Sequence, residues 1–347
     1  MIALKTNLHG PSQRAMHAVC LSTCGPRAIL MDVLLVGSVM ALFLGGRRAV
    51  AGETEVNVSE DPGGRTLFPD SCLVRGLARA SEERAFEKLP WRSVGDWPRD
   101  KKVFALNAAT VGTIAAIGFA GWDYGSHSFR TANEGWFDSD TAYGGADKLG
   151  HVFTCYALAS IYNRIYKDWG YSEDDAILIG AASSWLTMSL IEVGDGFSVS
   201  QGFSWQDEVM NTLGVSMAYL RHRFAAIRER VDFRWEWFPS AAVREGERFD
   251  VLTDYSGQKF LFAFKLDGWL RTGSPILKAL EVQLGYYTRG YVSSDDDFFD
   301  DQHRYGYLGV GLNMTYLLEK LTSHRAWGIF DYYQMPYTYL PARWECD

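Results

Sequence analysis

Three apolar segments whose polar ends must meet constrain this chain more than any other feature. They lie between Gly144 and Gly214. The stretch opens with Gly144-Gly145-Ala146-Asp147-Lys148-Leu149-Gly150-His151. It closes with Glu192-Val193-Gly194-Asp195-Gly196-Phe197, then Gly202-Phe203-Ser204-Trp205-Gln206-Asp207, Asn211 and Gly214. A helix that begins near Asp147 runs away from its polar start and ends near Lys167. Trp169-Gly170-Tyr171 turns the chain, and Ser172-Glu173-Asp174-Asp175 restarts it as a capping box. The second helix returns and ends near Glu192. After a glycine-containing loop, Ser204 with Asp207 or Glu208 starts a third. Short connections make consecutive helices antiparallel neighbours. Chain direction alone therefore brings Asp147, Lys148, His151, Glu192, Asp195 and Asp207 to one end of one bundle.

Spacing sharpens this candidate site. Asp147 and His151 are four residues apart, on one helix face. Asp207 and Asn211 repeat the interval, and Gly214 extends the stripe with a residue that lets helices approach. Gly180 and Ser184 are small residues four apart on the middle helix. The ordinary readings are an N-cap partner for Asp207, a dipole-stabilised Asp147, and a structural Lys148–Glu192 ion pair. As a set, the residues admit three roles. The first is a polar lock in a structural or binding module. The second is general acid–base chemistry with His151 as base and a carboxylate partner. The third is a divalent-metal site of His151, Glu192, Asp195 and Asp207, whose oxygen-rich donors suit Mn or Mg better than Zn. No nucleophile motif, phosphate loop or dinucleotide fingerprint names a reaction, so enzymatic activity is left open.

The motif set Asp147-Lys148-x-x-His151, an acidic end to the next helix, and Ser204-x-x-Asp207-x-x-x-Asn211-x-x-Gly214 resembles the VanZ-like membrane family. The fuller pattern resembles a family of predicted periplasmic lipoproteins of the YfiM type more closely. That pattern is Gly-Gly-x-Asp-Lys-x-Gly-His, Glu-x-x-Asp-Gly-Phe, Gly-x-Ser-Trp-x-Asp and Asn-x-x-Gly. The likeness extends toward Asp254-Tyr255-x-Gly257-Gln258, covering most of the chain after Lys101. It implies a helical fold and a site, and no reaction, because the family's activity is uncharacterised.

Upstream, Lys5, Arg14 and Arg27 precede the apolar run Val33–Leu44, and Ala49-Val50-Ala51 offers a small-residue cleavage site. Residues 1–51 thus read as a signal peptide or an anchor. The run is shorter than the ~20 residues of a membrane span, which favours export. No lipobox cysteine follows it, so the lipoprotein label does not carry over. Residues 52–100 read as a linker with one helix, Ser71–Glu87. Residues 101–230 hold the bundle, with a first helix over 101–122 that is apolar on nearly all faces. Its Gly112, Ala116 and Ala120 offer a close-packing stripe. Residues 123–146 cross the polar end as a cap carrying Glu134, Trp136 and Phe137. The basic run Arg221, Arg223, Arg228, Arg230 and Arg234 reads as a solvated helix extension.

From about Val231 the period changes to two. Strands are expected at Gln258–Leu266, Leu280–Arg289, Tyr305–Tyr316 and Gly328–Gln334, and more weakly at Phe233–Phe238. The fold class is therefore α+β: an apolar antiparallel four-helix bundle, VanZ-like, followed over 231–347 by a small antiparallel sheet or partial barrel packed on it. The acidic loop Asp295–Asp301 lacks the glycine and glutamate of an EF-hand and reads as a solvated hairpin tip, with a calcium site as the lesser alternative.

Composition adds limits. A net charge of −8 with no dominant basic face argues against nucleic acid as partner. The 12 Trp, 18 Tyr and 20 Phe suit a membrane-interface protein, with envelope lipid or glycan as the expected partner. Of five cysteines, Cys20 and Cys24 would leave with a signal peptide, and Cys72, Cys155 and Cys346 show no disulfide or zinc spacing. Cys155 is expected as a small packing residue. The expected location is exported, in the periplasm or at the outer membrane. An inner-membrane multi-pass protein is the alternative, with the Arg- and Lys-rich helix ends inside.

Overall fold

The computed structural model describes residues 97–245, 251, 254–291, 299, 301–322 and 327–346. Residues 1–51, read as a targeting segment, the helix expected at Ser71–Glu87 and nearly all of the Asp295–Asp301 loop lie outside the described residues.

The chain is α+β, with helices first and a five-stranded antiparallel sheet after them. Four long helices come in order: α1 (Arg99–Gly121), α2 (Ala146–Asp168), α3 (Glu173–Asp195) and α4 (Trp205–Arg223). Their boundaries follow local chemistry. Ser172 accepts a hydrogen bond from the Asp175 backbone at 3.1 Å, and Ser204 accepts one from Asp207 at 3.3 Å; each satisfies a free N–H of a first turn. The α2 helix starts from Gly145 at φ +82°. A side chain there would meet the Phe137 ring at 2.3 Å and the Trp136 carbonyl at 2.8 Å, so this start requires glycine.

Helices α2, α3 and α4 pack on one another, with α2 between the other two and the sheet. Small residues set the distances. A Cβ on Gly214 of α4 would sit 2.3 Å from the Val152 carbonyl oxygen of α2. A Cβ on Gly180 of α3 would sit 2.9 Å from the Asn163 nitrogen. At the lower end His222 of α4 meets Ser160 and Asn163 of α2 at 3.0 and 3.1 Å, so α2 and α4 run parallel and α3 runs against both.

Helix α1 meets this group along α3 and at the far end of α2, where Asn107 donates to Tyr166 at 3.0 Å. Its stripe of small residues does not act as expected, because a Cβ on Gly112 meets nothing within 4 Å. Only 11% of its most apolar window is buried.

The strands β3 (Val231–Trp237), β4 (Gln258–Lys265), β5 (Leu280–Arg289), β6 (His303–Leu312) and β7 (Tyr339–Glu345) form an antiparallel meander. Two expectations change here. Gly328–Gln334 is not a strand: Trp327–Asp331 is a 3-10 turn, while Tyr333 makes a single bridge to Trp235. The strand that completes the sheet is β7. Met314–Thr322 also folds as a helix, α5, rather than extending β6. Alternation sorts the sheet's two faces. Phe233 and Trp235 with Phe260 face α2 and surround Phe153, at ring separations of 5.9–6.4 Å. On the same face, beyond the helices, Leu284, Leu308, Val310, Leu340 and Trp344 are exposed.

The opposite face is buried and charged. Arg234 makes a two-pronged contact with Glu281 at 2.6 and 2.9 Å and reaches Asp232 at 2.9 Å. Asp232 also accepts from Arg221 at 2.8 Å and pairs with Lys265 at 2.9 Å. Burial raises the Asp232 carboxyl, but Lys265, Arg234 and Arg221 outweigh it and hold it down at about 2. The basic run is only in part a solvated extension: Arg223 is exposed and Arg228 and Arg230 are half-buried, whereas Arg221 and Arg234 are buried and tie α4 to the sheet.

Candidate functional site

The polar end is built by four elements. The first two turns of α2 supply Asp147, Lys148 and His151, the last turn of α3 supplies Glu192, and the first two turns of α4 supply Asp207 and Asn211. The cap 123–145 supplies Glu134. A two-residue parallel pairing, β1 (Thr131–Ala132) with β2 (Phe203–Ser204), pins the cap to the start of α4. Trp136 packs edge-on against Trp205, and Phe137 against Tyr286 of the sheet.

Lys148 is the centre of the first half of the cluster. Its side chain is 1% exposed. Its ammonium donates to Glu134, to Asp147 at 2.8 Å and to Asp207 at 2.9 Å. Three donors meet three carboxylates, the full capacity of the group. Burial alone would lower the lysine's pKa; Asp147 and Asp207 outweigh that and raise it. Glu134 is pushed up to about 7 by burial and by Asp207, against the pull of Lys148. Asp207 is held low, because His151, Glu134 and Lys148 overcome its burial.

His151 is the centre of the second half. Its Nδ1 lies 3.1 Å from Asn211 Oδ1, which also accepts from the buried Cys155 thiol at 3.5 Å. Its Nε2 lies 3.5 Å from Glu192 Oε1 and 3.9 Å from Asp207 Oδ1. Glu192 is buried and takes the Ser204 N–H at 3.4 Å. Burial, then the charges of Asp207 and Asp195, push its carboxyl up to about 9.

The structure thus brings together Asp147, Lys148, His151, Glu192, Asp207 and Asn211. Asp195 stands apart from both centres. It lies one turn beyond Glu192, near Tyr124 of the cap, whose hydroxyl donates to the Ile191 carbonyl at 3.1 Å, and burial pushes it up to about 7. The Lys148–Glu192 pairing does not form; Lys148 takes Asp147, Asp207 and Glu134. Glu134 and Tyr124 were not legible as site residues. They sit in a segment without periodicity, and the only signal for Glu134 was an acid beside Trp136 and Phe137 in a segment expected to cap the site.

Residues 133–223 match the family model for predicted periplasmic lipoproteins (DUF2279). The match opens one residue before Glu134 and closes on the last residue of α4. It therefore contains every residue of both centres and none of the sheet. It stops short of the Asp254–Gln258 segment that the sequence pattern reached, and it does not carry the VanZ-like or YfiM-type likeness. No curated protein and no solved structure matches the chain.

Proposed function

We propose that this is an exported cell-envelope protein, held at an envelope membrane by its apolar exterior, with a structural or binding role. In this reading α1 joins α2–α4 as the fourth helix of a bundle whose polar end is a lock. The periplasmic description of the matching family supports the location. The observation that carries the reading is the outer surface. Phe104 and Phe119 of α1 are 76% and 70% exposed, and Leu178, Trp185 and Leu186 of α3 and Val209 and Leu213 of α4 are exposed as well. Apolar area of this extent marks a contact with lipid or with another protein. Helices α1 and α3 are long and apolar enough to cross a membrane.

A second reading is a hydrolase or transferase acting on an envelope lipid or glycan, with His151 as general base. One observation favours it: His151 keeps 20% of its side chain exposed while its partners Glu192 and Asp207 are buried. A groove of about 540 Å³ exists elsewhere, lined by Glu229, Lys265, Asp267 and Lys278 at the other end of β4. It shares no residue with the cluster.

The test is fractionation of the full chain with a C-terminal tag. The protein should sediment with membranes, resist salt and carbonate washing, and yield to detergent. Protease added to spheroplasts should reach the tag. Recovery of the protein in the cytoplasmic soluble fraction would overturn the reading.

A further inference from the structure

We infer that His151, Glu192 and Asp207 form a site for one divalent cation of the Mn²⁺ type. Three observations converge on it. The first is donor geometry. One ligand atom from each residue lies within 4.8 Å of the others, with Nε2–Oε1 at 3.5 Å and Nε2–Oδ1 at 3.9 Å. Neighbouring ligands about 2.1 Å from an octahedral ion stand about 3.0 Å apart, so side-chain shifts of under about 1 Å bring Nε2 and the two carboxylate oxygens to that spacing.

The second is orientation. His151 Nδ1 faces Asn211 Oδ1, which also accepts from Cys155; in the tautomer that donates to this oxygen the ring hydrogen is on Nδ1. The Nε2 lone pair is then directed at the two carboxylates. A metal-binding histidine is commonly fixed in this way through its other nitrogen.

The third is an oxygen left over. Asp207 Oδ2 accepts the Lys148 ammonium proton at 2.9 Å. Its buried Oδ1 lies as near that ammonium but takes no hydrogen bond, and it is the atom nearest His151. Lys148 spends its three donors on Glu134, Asp147 and Oδ2. The cluster therefore holds four carboxyl groups against one ammonium. A divalent cation between Nε2, Oε1 and Oδ1 would give Oδ1 the partner it lacks.

One imidazole and two carboxylates favour Mn²⁺ over a thiolate-seeking ion, and three protein ligands leave positions for water. Asp195 is outside the set. The site depends only on the packing of α2, α3 and α4, so its failure would leave membrane association standing.

The test uses the full chain in detergent, stripped with chelator and titrated with Mn²⁺. Binding is followed by loss of the free-ion paramagnetic resonance signal and by thermal unfolding. One ion per chain should bind and raise the melting temperature. Glu192→Gln and His151→Gln should each weaken binding by about tenfold or more, while Asp195→Asn should stay within about twofold. Substitution with Gln keeps size and hydrogen bonding; if one variant fails to fold, the other carries the comparison. No stoichiometric binding of Mn²⁺, Zn²⁺ or Mg²⁺ by the parent chain would overturn the proposal. So would binding that survives both Gln variants, or binding that Asp195→Asn abolishes equally.

Discussion

Lys148 decides the energetics at the scale of single residues. Removing one partner from a buried charge cluster leaves the others without compensation, at about 3–5 kcal/mol. Lys148→Met keeps much of the stem and deletes the ammonium, leaving Glu134, Asp147 and Asp207 facing one another. Chemical denaturation should show a loss of that size; a loss below about 1 kcal/mol would mean the carboxyls reach neutrality another way. His222 gives a pH signature at the other end of α2 and α4. Burial, then the positive charges of Arg221, Arg228 and Lys167, hold it down at about 4. The folded value lies below the unfolded one of 6.5. Neutral His222 therefore contributes stability that is complete above pH 6.5 and is lost as pH falls toward 4. Across that window the parent chain should lose about 2–3 kcal/mol more than His222→Gln, which cannot charge. Parallel pH–stability curves would exclude this. The residues of the site were legible because helix direction fixes where helix ends go. Glu134 was not, because a loop residue has no period to place it. Arg221 and Arg234 misled for another reason: a basic run looks solvated until the acids that bury it, Asp232 and Glu281, arrive from 11 and 47 residues away.

Close approach governs the helices as elements, and the sequence signalled it unevenly. Gly214 and Gly112 both sit in small-residue stripes, yet only Gly214 is pressed against a neighbour's backbone. Gly214→Ala should force α4 from α2 and destabilise by about 1–3 kcal/mol. Gly112→Ala should stabilise α1 by about 0.5–1 kcal/mol, through helix propensity alone. Thermal unfolding of the pair distinguishes the two; equal effects would contradict the packing. The sheet was partly legible. Period-two patterning marked β4 and β5 closely, because one face buries aromatics against α2. It misplaced the last strand, because the aromatic run 328–334 reads as a strand but folds largely as a turn whose Asp331 and Gln334 serve the buried charges.

For the whole molecule, the helices and sheet share an interior whose centre is α2, flanked by α3 and α4 and covered by Phe233 and Phe260. The sheet brings its own charged network, but its aromatic face needs that helix. Residues 231–347 expressed alone should give an aggregated or unfolded product, and a cooperatively folding soluble fragment would contradict the joint core. The outside is apolar along α1, α3 and the outer strands, while ionisable groups are drawn to the α2–α4 end. Among those groups, Lys148 of α2 and Asp207 of α4 make the direct contact between helix ends. A double-mutant cycle between Lys148→Met and Asp207→Asn, read by chemical denaturation of the full chain in detergent, tests this most directly. The two changes should be coupled by about 1–3 kcal/mol, because each removes the partner whose loss makes the other damaging. Strictly additive effects would show that the contact does not hold the helix ends together.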